Sequence, residues 1–509
     1  MTQINKITVP ILTLKIENFS HSLYRGLYES LREAILTGQL AAGVQLPSTR
    51  SLASQFSISR STVVNAYEQL HAEGYIIGKT GAGTFVAANL PEDSLETHKQ
   101  IFSKPQEPVS PRAKDLSERG KLLQAKTISV LDEYQKKSFS AFQHGVPALD
   151  EFPFKLWSKL AGRRWRNQPR DLLSYGDPSG YRPLREAIAA YLKQARAVNC
   201  EPDQVIVVAG AQQALNLTAC ILLDARDAIW IEDPCYSGAR AAFTAAGVKL
   251  VGVPIDEEGL NLNEAIKGGE QTRLVYITPS CQYPLGAIMS LSRRLALLEW
   301  ANRVGGWIIE DDYDSEYRYA GRPLASLQGL DKDGRVIYIG TFSKTVFPGL
   351  RLGCLVVPLN LIEVFRAARF ISDWHSSLTD QAVLTDFIVE GHFARHVRRM
   401  RSLYHERQKS LVTEVKRELG GLLEIAPADA GMHLIGWLPE GVNDKKAAER
   451  AAKHGVEVAP LSSYLLSQDY RNGLLLGYAA FNEAQIKDGV RRLATVLEKE
   501  LAISASNQR

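Results

Sequence analysis

The chain has 509 residues, of which 45% are apolar and 23% charged, and a net charge of +4 at pH 7. That length exceeds what one hydrophobic core supports, so two or three domains are expected, and the near-neutral balance neither demands nor excludes a polyanionic partner. No apolar run reaches membrane-spanning length, the N-terminus lacks a charged head followed by an apolar signal core, and five scattered cysteines (Cys200, Cys220, Cys235, Cys281, Cys354) form no Cys-x-x-Cys pair, so a zinc site or disulfide framework is not expected and a reducing cytoplasm fits.

From Leu23 the pattern becomes helical, with Leu23, Leu27, Leu31, Ile35 and Leu36 expected on one face and Gly38 past the end. In Leu46-Pro-Ser-Thr-Arg50, Pro47 blocks an earlier helix and Ser48 can cap one running through Gln55, with Leu52, Ala53 and Phe56 inward. After the turn at Ser57-Ile58, Ser59 caps a second helix from Arg60 to about Glu73, packing through Val63, Val64, Ala66 and Leu70. Tyr75-Ile-Ile77 and Thr84-Phe-Val86, separated by a glycine turn, predict a two-stranded wing. Two short helices and a tight turn make a helix-turn-helix unit, whose second helix meets base edges and phosphates with its first residues. The six Lys/Arg between Lys15 and Ala87 barely exceed the five Asp/Glu, so placement rather than net charge carries this reading. Leu46-Pro-Ser-Thr-Arg-Ser-Leu-Ala53, Ser59-Arg-Ser-Thr-Val63 and Glu73-Gly-Tyr75 resemble the GntR-type winged helix-turn-helix family. The resemblance implies that Ser48 holds a phosphate and that Arg50, Arg60, Ser61, Thr62, Asn65 and the wing residues Lys79 and Thr84 contact double-stranded DNA.

Periodicity fades from about Asn89 to Lys137, where Pro91, Pro105, Pro108 and Pro111 punctuate a run rich in Lys, Glu, Ser and Gln. This predicts a flexible connector, with a helical turn or two between Leu122 and Tyr134. The expected division is an N-terminal extension (1–17), a winged helix-turn-helix domain (18–88), a linker (89–137) and a large domain (138–505).

Beyond Phe139 strands and helices alternate, which predicts a mostly parallel α/β sheet with ligand-binding loops at its strand ends. Strands are expected at Val205–Val208, Ala228–Ile231, Leu250–Val253, Leu274–Ile277, Trp307–Ile309, Val336–Ile339 and Leu355–Val357. Between the last two lies Gly340-Thr-Phe-Ser-Lys-Thr-Val-Phe-Pro-Gly-Leu-Arg351, which puts one amine and one guanidinium on a loop at a sheet edge. Gly210-Ala-Gln-Gln213 opens a helix whose free N–H groups suit an anion. Glu232-Asp-Pro-Cys-Tyr236 places an aromatic ring at a strand end, and the acidic run Glu310-Asp-Asp-Tyr-Asp-Ser-Glu316 needs cationic partners wherever it is buried.

In this order the motifs resemble the fold-type I, pyridoxal-phosphate-dependent aminotransferases. The resemblance implies that Lys344 is the Schiff-base lysine, that Asp311 pairs with the ring nitrogen, that Tyr313 meets the ring's phenolic oxygen, and that Tyr236 stacks on the ring. It further implies a phosphate held by Arg351, Thr341 and the N–H groups of Ala211 and Gln212, with Tyr175 reaching the phosphate of a neighbouring subunit. A GntR-type reader joined to an aminotransferase-like domain resembles, from Leu23 to about Leu497, the MocR (GabR-like) transcriptional regulators. That family implies a head-to-tail homodimer on promoter DNA in which an amino-type effector, or pyridoxal phosphate itself, alters DNA binding.

Four positions depart from the pattern. Cys281 stands for a histidine, Leu285 for a small polar residue, and Gly238 for the arginine of the regulator sensing γ-aminobutyrate. Leu475 stands where aminotransferases place the arginine that binds the substrate carboxylate. These departures favour a sensor with at most residual half-transamination over the alternative, an active aminotransferase with a fused DNA-binding domain. Two basic clusters, Arg163, Arg164, Arg166, Arg170 and Arg395, Arg398, Arg399, Arg401, are either solvated helix faces or phosphate contacts for wrapped DNA.

Overall fold

A computed structural model describes residues 23–90, 116–117, 119–124, 140–167, 169–269, 271–321, 324–466 and 470–507. The chain divides into two units, residues 1–112 and 113–509. Among the described residues no helix is long and apolar enough to cross a membrane.

In the first unit, α1 (Leu23–Leu36), α2 (Thr49–Phe56) and α3 (Arg60–Ala72) surround a core containing Leu27, Leu31, Leu52, Val63 and Leu70, all fully buried. Burying such a side chain contributes about 1.5–3 kcal/mol. Two residues expected on the inner face of α1 are exposed, Leu23 at 59% and Leu36 at 39%. Leu23 sits in the first turn, and Leu36 is rotated about 100° from the buried Ile35. Ser48 and Ser59 cap α2 and α3 by accepting from the N–H groups of Ser51 and Thr62, at 3.2 and 3.1 Å. Between the helices Ser57 takes the left-handed conformation at φ 54°, which makes the turn tight. Tyr67, which the sequence pattern did not single out, is buried and donates its hydroxyl to the Pro47 carbonyl at 2.9 Å. The wing pairs β1 (Ile76–Lys79) antiparallel to β2 (Gly83–Val86), and Gln45 bridges to Phe85 on its other edge.

Most of the expected linker lies outside the described residues; within it, 119–124 is helical. The second unit is built on an eight-stranded sheet. Its order is β3 (Val205–Val208), β10 (Gly353–Val356), β9 (Val336–Thr341), β8 (Trp307–Asp312), β7 (Leu274–Ile277), β4 (Ala228–Asp233), β5 (Lys249–Asp256) and β6 (Gly259–Leu260). Strands β9, β8, β7, β4 and β5 run parallel, whereas β10 is antiparallel to both of its neighbours. The loop between β9 and β10 is therefore a hairpin-like reversal at the sheet end, and it carries Lys344. Continuous burial of β3, β4, β7 and β10 matches their apolar runs, as expected for strands covered on both faces. A second, antiparallel sheet of β11 (Glu424–Ile425), β12 (His433–Trp437), β14 (Gly473–Gly477) and β13 (Ala459–Pro460) was not foreseen. Its strands are short, and they share a core with the helices His392–Glu418 and Glu483–Asn507.

Ser59→Ala removes an acceptor at the start of α3 and should cost the first unit about 1 kcal/mol, with Ser59→Gly costing less. Urea unfolding of the full chain, followed at the first unit's transition, measures the difference.

Candidate functional site

Strand alternation sorts the acidic run at the end of β8. Glu310, fully buried, accepts the N–H groups of Leu327 and Gln328, each at 2.8 Å. Asp312 points to the same side and receives Arg196 Nε and the Tyr338 hydroxyl, each at 2.7 Å. Asp311 points the other way, into a cavity of about 780 Å³. One of its oxygens accepts the Tyr276 hydroxyl at 2.8 Å, while Oδ1 is buried without a partner. Burial pushes the Asp311 carboxyl up to about 7, against the lowering effect of Tyr276. Tyr276 was read only as part of a strand, although a tyrosine inside a fully buried run must find a partner for its hydroxyl.

Lys344 lies across the cavity from this carboxyl. Its backbone carbonyl accepts the Tyr317 hydroxyl at 2.9 Å, and its Nζ donates to the Gly145 carbonyl at 2.6 Å. Burial lowers its pKa, opposed by Asp314 and then Asp311, so the amine is more easily freed of its proton than a solvated lysine. Gly145 has φ +75°, a conformation that favours glycine, and a Cβ there would stand 3.0 Å from Nζ and crowd the amine. At the other end of the cavity the helix Ala211–Leu222 begins after Gly210, at φ 101°, with no side-chain cap. The Arg351 guanidinium sits over that glycine, where an added Cβ would come within 3.4 Å of it. Ala211, Gln212, Thr341 and Arg351 all line the same cavity. This is a cradle of helix N–H groups and one planar cation, the chemistry of a phosphate site.

Tyr236 and Tyr313 line the cavity as the pattern implied. The Tyr313 hydroxyl donates to Cys281 Sγ at 3.6 Å, and burial drives that thiol well above its ordinary pKa, so Cys281 is a neutral neighbour. Gly238 has a steric reason: a Cβ there would fall 2.4 Å from the Tyr236 ring. Leu475, fully buried on β14, packs with Ile435, Ala459, Leu461 and Tyr464, backing the wall formed by Tyr283 and Ala459. Sequence reasoning missed His144 and His433, which also line the cavity. Of the residues implied for the cofactor, Tyr175 alone stands outside it: 78% exposed, its ring stacks on Trp374 at 4.5 Å.

On the first unit, Ser48, Arg50, Arg60, Ser61, Asn65 and Lys79 are exposed, and Thr62 and Thr84 are half-buried. The Ser48 oxygen is occupied as an acceptor by its own helix, which leaves its O–H to donate. The basic clusters of the large unit are largely engaged within the chain. Arg163 and Arg164 pair with Asp386, Arg399 with Glu151, and Arg395 and Arg401 donate to the carbonyls of Glu390 and Glu316.

The site fits pyridoxal phosphate. A carboxylate oxygen without a partner, an amine at a lowered pKa and an anion cradle meet in one cavity large enough for the cofactor and more. Comparison with known proteins agrees. Residues 144–493 match the family "Aminotransferase class I and II", and residues 23–86 match "Bacterial regulatory proteins, gntR family". The chain is 41% identical, over 95% of both lengths, to the "Probable rhizopine catabolism regulatory protein MocR" of Rhizobium meliloti. It is 31% identical to the "HTH-type pyridoxine biosynthesis transcriptional regulator PdxR" of Corynebacterium glutamicum, over 91% of this chain and 95% of that one. Among solved structures, the α-aminoadipate aminotransferase LysN of Thermus thermophilus, complexed with N-(5'-phosphopyridoxyl)-L-leucine, superposes with TM-score 0.70 at 30% identity, covering 77% of this chain and 99% of its own. A GntR-type helix-turn-helix followed by a class I aminotransferase domain, matched over nearly the whole length, makes this chain a member of the MocR family of DNA-binding transcriptional regulators, with pyridoxal phosphate as the cofactor of its large domain.

Proposed function

We propose that the large unit is a sensor: an amino-type effector, or pyridoxal phosphate itself, meets Lys344 and thereby alters promoter binding by the winged helix-turn-helix. The observation that carries this reading is the pairing of a complete cofactor cradle with Leu475, a buried aliphatic residue in the place of the carboxylate-binding arginine. When bound, pyridoxal phosphate supplies a carbonyl for an amine and an electron-withdrawing ring. Lys344 would be the amine that holds the cofactor, and Asp311 would face its ring nitrogen. Tyr236 would lie at the ring face and Tyr313 near its oxygen, while Arg351, Thr341 and the N–H groups of Ala211 and Gln212 would hold the phosphate. Turnover as an aminotransferase is the competing reading, since every cofactor-binding position is filled. It lacks an arginine at the position of Leu475, and multiple turnovers with an amino donor and an oxo-acid acceptor would establish it.

The assembly we propose is a head-to-tail homodimer in the cytoplasm, with Tyr175 completing the partner's phosphate site. Tyr175 is held facing outward, and Leu173, Phe370 and Ile371 are also exposed, at 67%, 49% and 81%. Apolar exposure of that kind marks a contact surface. On DNA, Arg50, Arg60, Ser61, Thr62 and Asn65 read the major groove and its phosphates, Ser48 donates to a phosphate, and Lys79 and Thr84 follow from the wing.

Three measurements test these assignments. The purified wild type should show the visible absorption band of lysine-bound cofactor, which Lys344→Ala removes; a wild type without bound cofactor would sink the sensor reading. Arg60→Ala should weaken retention of the protein's own upstream DNA in a gel shift, with a salt slope reduced by about 1 and an unchanged absorption band. Asp311 supplies a pH test on the cofactor-free chain. Its carboxyl titrates near 7 when folded and near about 4 when unfolded. Ionisation therefore costs the native state nothing below about pH 4, progressively more as pH rises, and its full amount above about pH 7. Asp311→Asn should stabilise the cofactor-free chain by roughly 2–4 kcal/mol at about pH 8 and by little at about pH 4.

A further inference from the structure

We infer that the effector is a primary amine without a carboxylate, its body carrying hydroxyl or other neutral hydrogen-bonding groups. This rests on the sensor reading of Lys344 and specifies what that sensor accepts. Three cations line the cavity: Lys344, Arg351 and Lys445. Lys344 is engaged by the cofactor, and Arg351 lies against Gly210 at the phosphate end. Lys445 is exposed to solvent in the first turn of the helix Asp444–Lys453, and Glu449, four residues on, lines the same cavity. Glu457 adds a second acid to that side.

The wall beyond Lys344 is polar but uncharged. The His433 Nε2 lies 2.9 Å from the Pro284 carbonyl, which can only accept, so Nε2 carries the proton and Nδ1 is left as an acceptor. The His144 Nε2 lies 3.1 Å from the Tyr464 hydroxyl. Burial, joined by the positive charge of Lys344, pushes His144 down to about 3 and His433 down to about 4, so both rings are neutral at pH 7. Gln143, Ser140 and Ser463 continue the lining. A carboxylate enclosed among these groups would be desolvated against neutral partners, since the cation not at the cofactor end, Lys445, is exposed to solvent. A hydroxyl both donates and accepts, and so matches neutral imidazoles, serines and an amide. The two routes by which an arginine would enter are closed sterically: Leu475 is packed in its apolar cluster, and a side chain at Gly238 would strike Tyr236.

The test uses matched pairs on the full-length chain loaded with pyridoxal phosphate: L-alaninol against L-alanine, and 4-amino-1-butanol against γ-aminobutyrate. The visible band and the gel shift are both followed during titration. The amino alcohol of at least one pair should perturb the band at a concentration roughly tenfold or more below its acid, and should change DNA retention over the same range. Equal or tighter response to the acids overturns the inference, as does a band that no amino alcohol perturbs. Absence of any band in the loaded protein would instead overturn the cofactor assignment beneath it. His433→Phe, which keeps the ring volume and removes the acceptor, should narrow the gap between paired ligands while leaving the band in place; an unchanged gap counts against the neutral wall as its cause.

Discussion

Burying a carboxylate costs several kcal/mol unless a donor or a cation meets it, and the end of β8 buries three in succession, at 0%, 4% and 5% exposure for Glu310, Asp311 and Asp312. The strand's twofold alternation divides them between two different solutions. Glu310 has both oxygens met by backbone N–H groups, and Asp312 has one oxygen met by the Arg196 cation and the Tyr338 hydroxyl while its Oδ1 has no partner, so both bind β8 to its surroundings. Asp311 is left half-satisfied on the side that faces the cavity. The scaffold thus carries a built-in cost at Asp311 that protonation of its carboxyl, or a donor entering from the cavity, removes. Rigid placement of Asp311 comes from its two neighbours on the same strand.

How much of this could be read in the sequence depended on whether the signal was local. The capping serines, the apolar runs of β3, β4, β7 and β9, and the lysine loop are local patterns, and each stands where the pattern predicted. The small antiparallel sheet escaped because its strands span two to five residues and its periodicity is interrupted by long helices. His144 and His433 escaped for a different reason. They are separated by nearly the length of the large unit, and a lone histidine in an apolar context carries no mark of the cavity it faces. Nothing in the residues around Gly238 showed that the absence of a side chain there is what lets the Tyr236 ring occupy its place. For the basic clusters the sequence left a solvated face and a phosphate surface open, and acids distant in sequence, such as Asp386 and Glu151, pair with several of these arginines.

The departures at Gly238 and Leu475 are better seen as one change than as two losses. Neither position supplies a cation, and the buried part of the cavity wall that holds His144 and His433 is polar but neutral. An enzyme that turns over amino acids needs a fixed cation there, because orientation of the substrate is what a guanidinium fork supplies. A detector needs only that the right amine displace an existing arrangement with enough differential free energy to be felt elsewhere.

One contact of the Lys344 amine is with the segment that follows the linker. Ser140, Gln143, His144, Gly145 and Val146 are the first described residues of the large unit beyond the linker, and all of them line the cavity. The segment is anchored behind by Ala141 and Phe142, whose carbonyls accept the N–H groups of Glu457 and Gly477. In front, the Gly145 carbonyl is held by the amine of Lys344 itself. The Lys344 amine and the segment that follows the linker thus share one hydrogen bond.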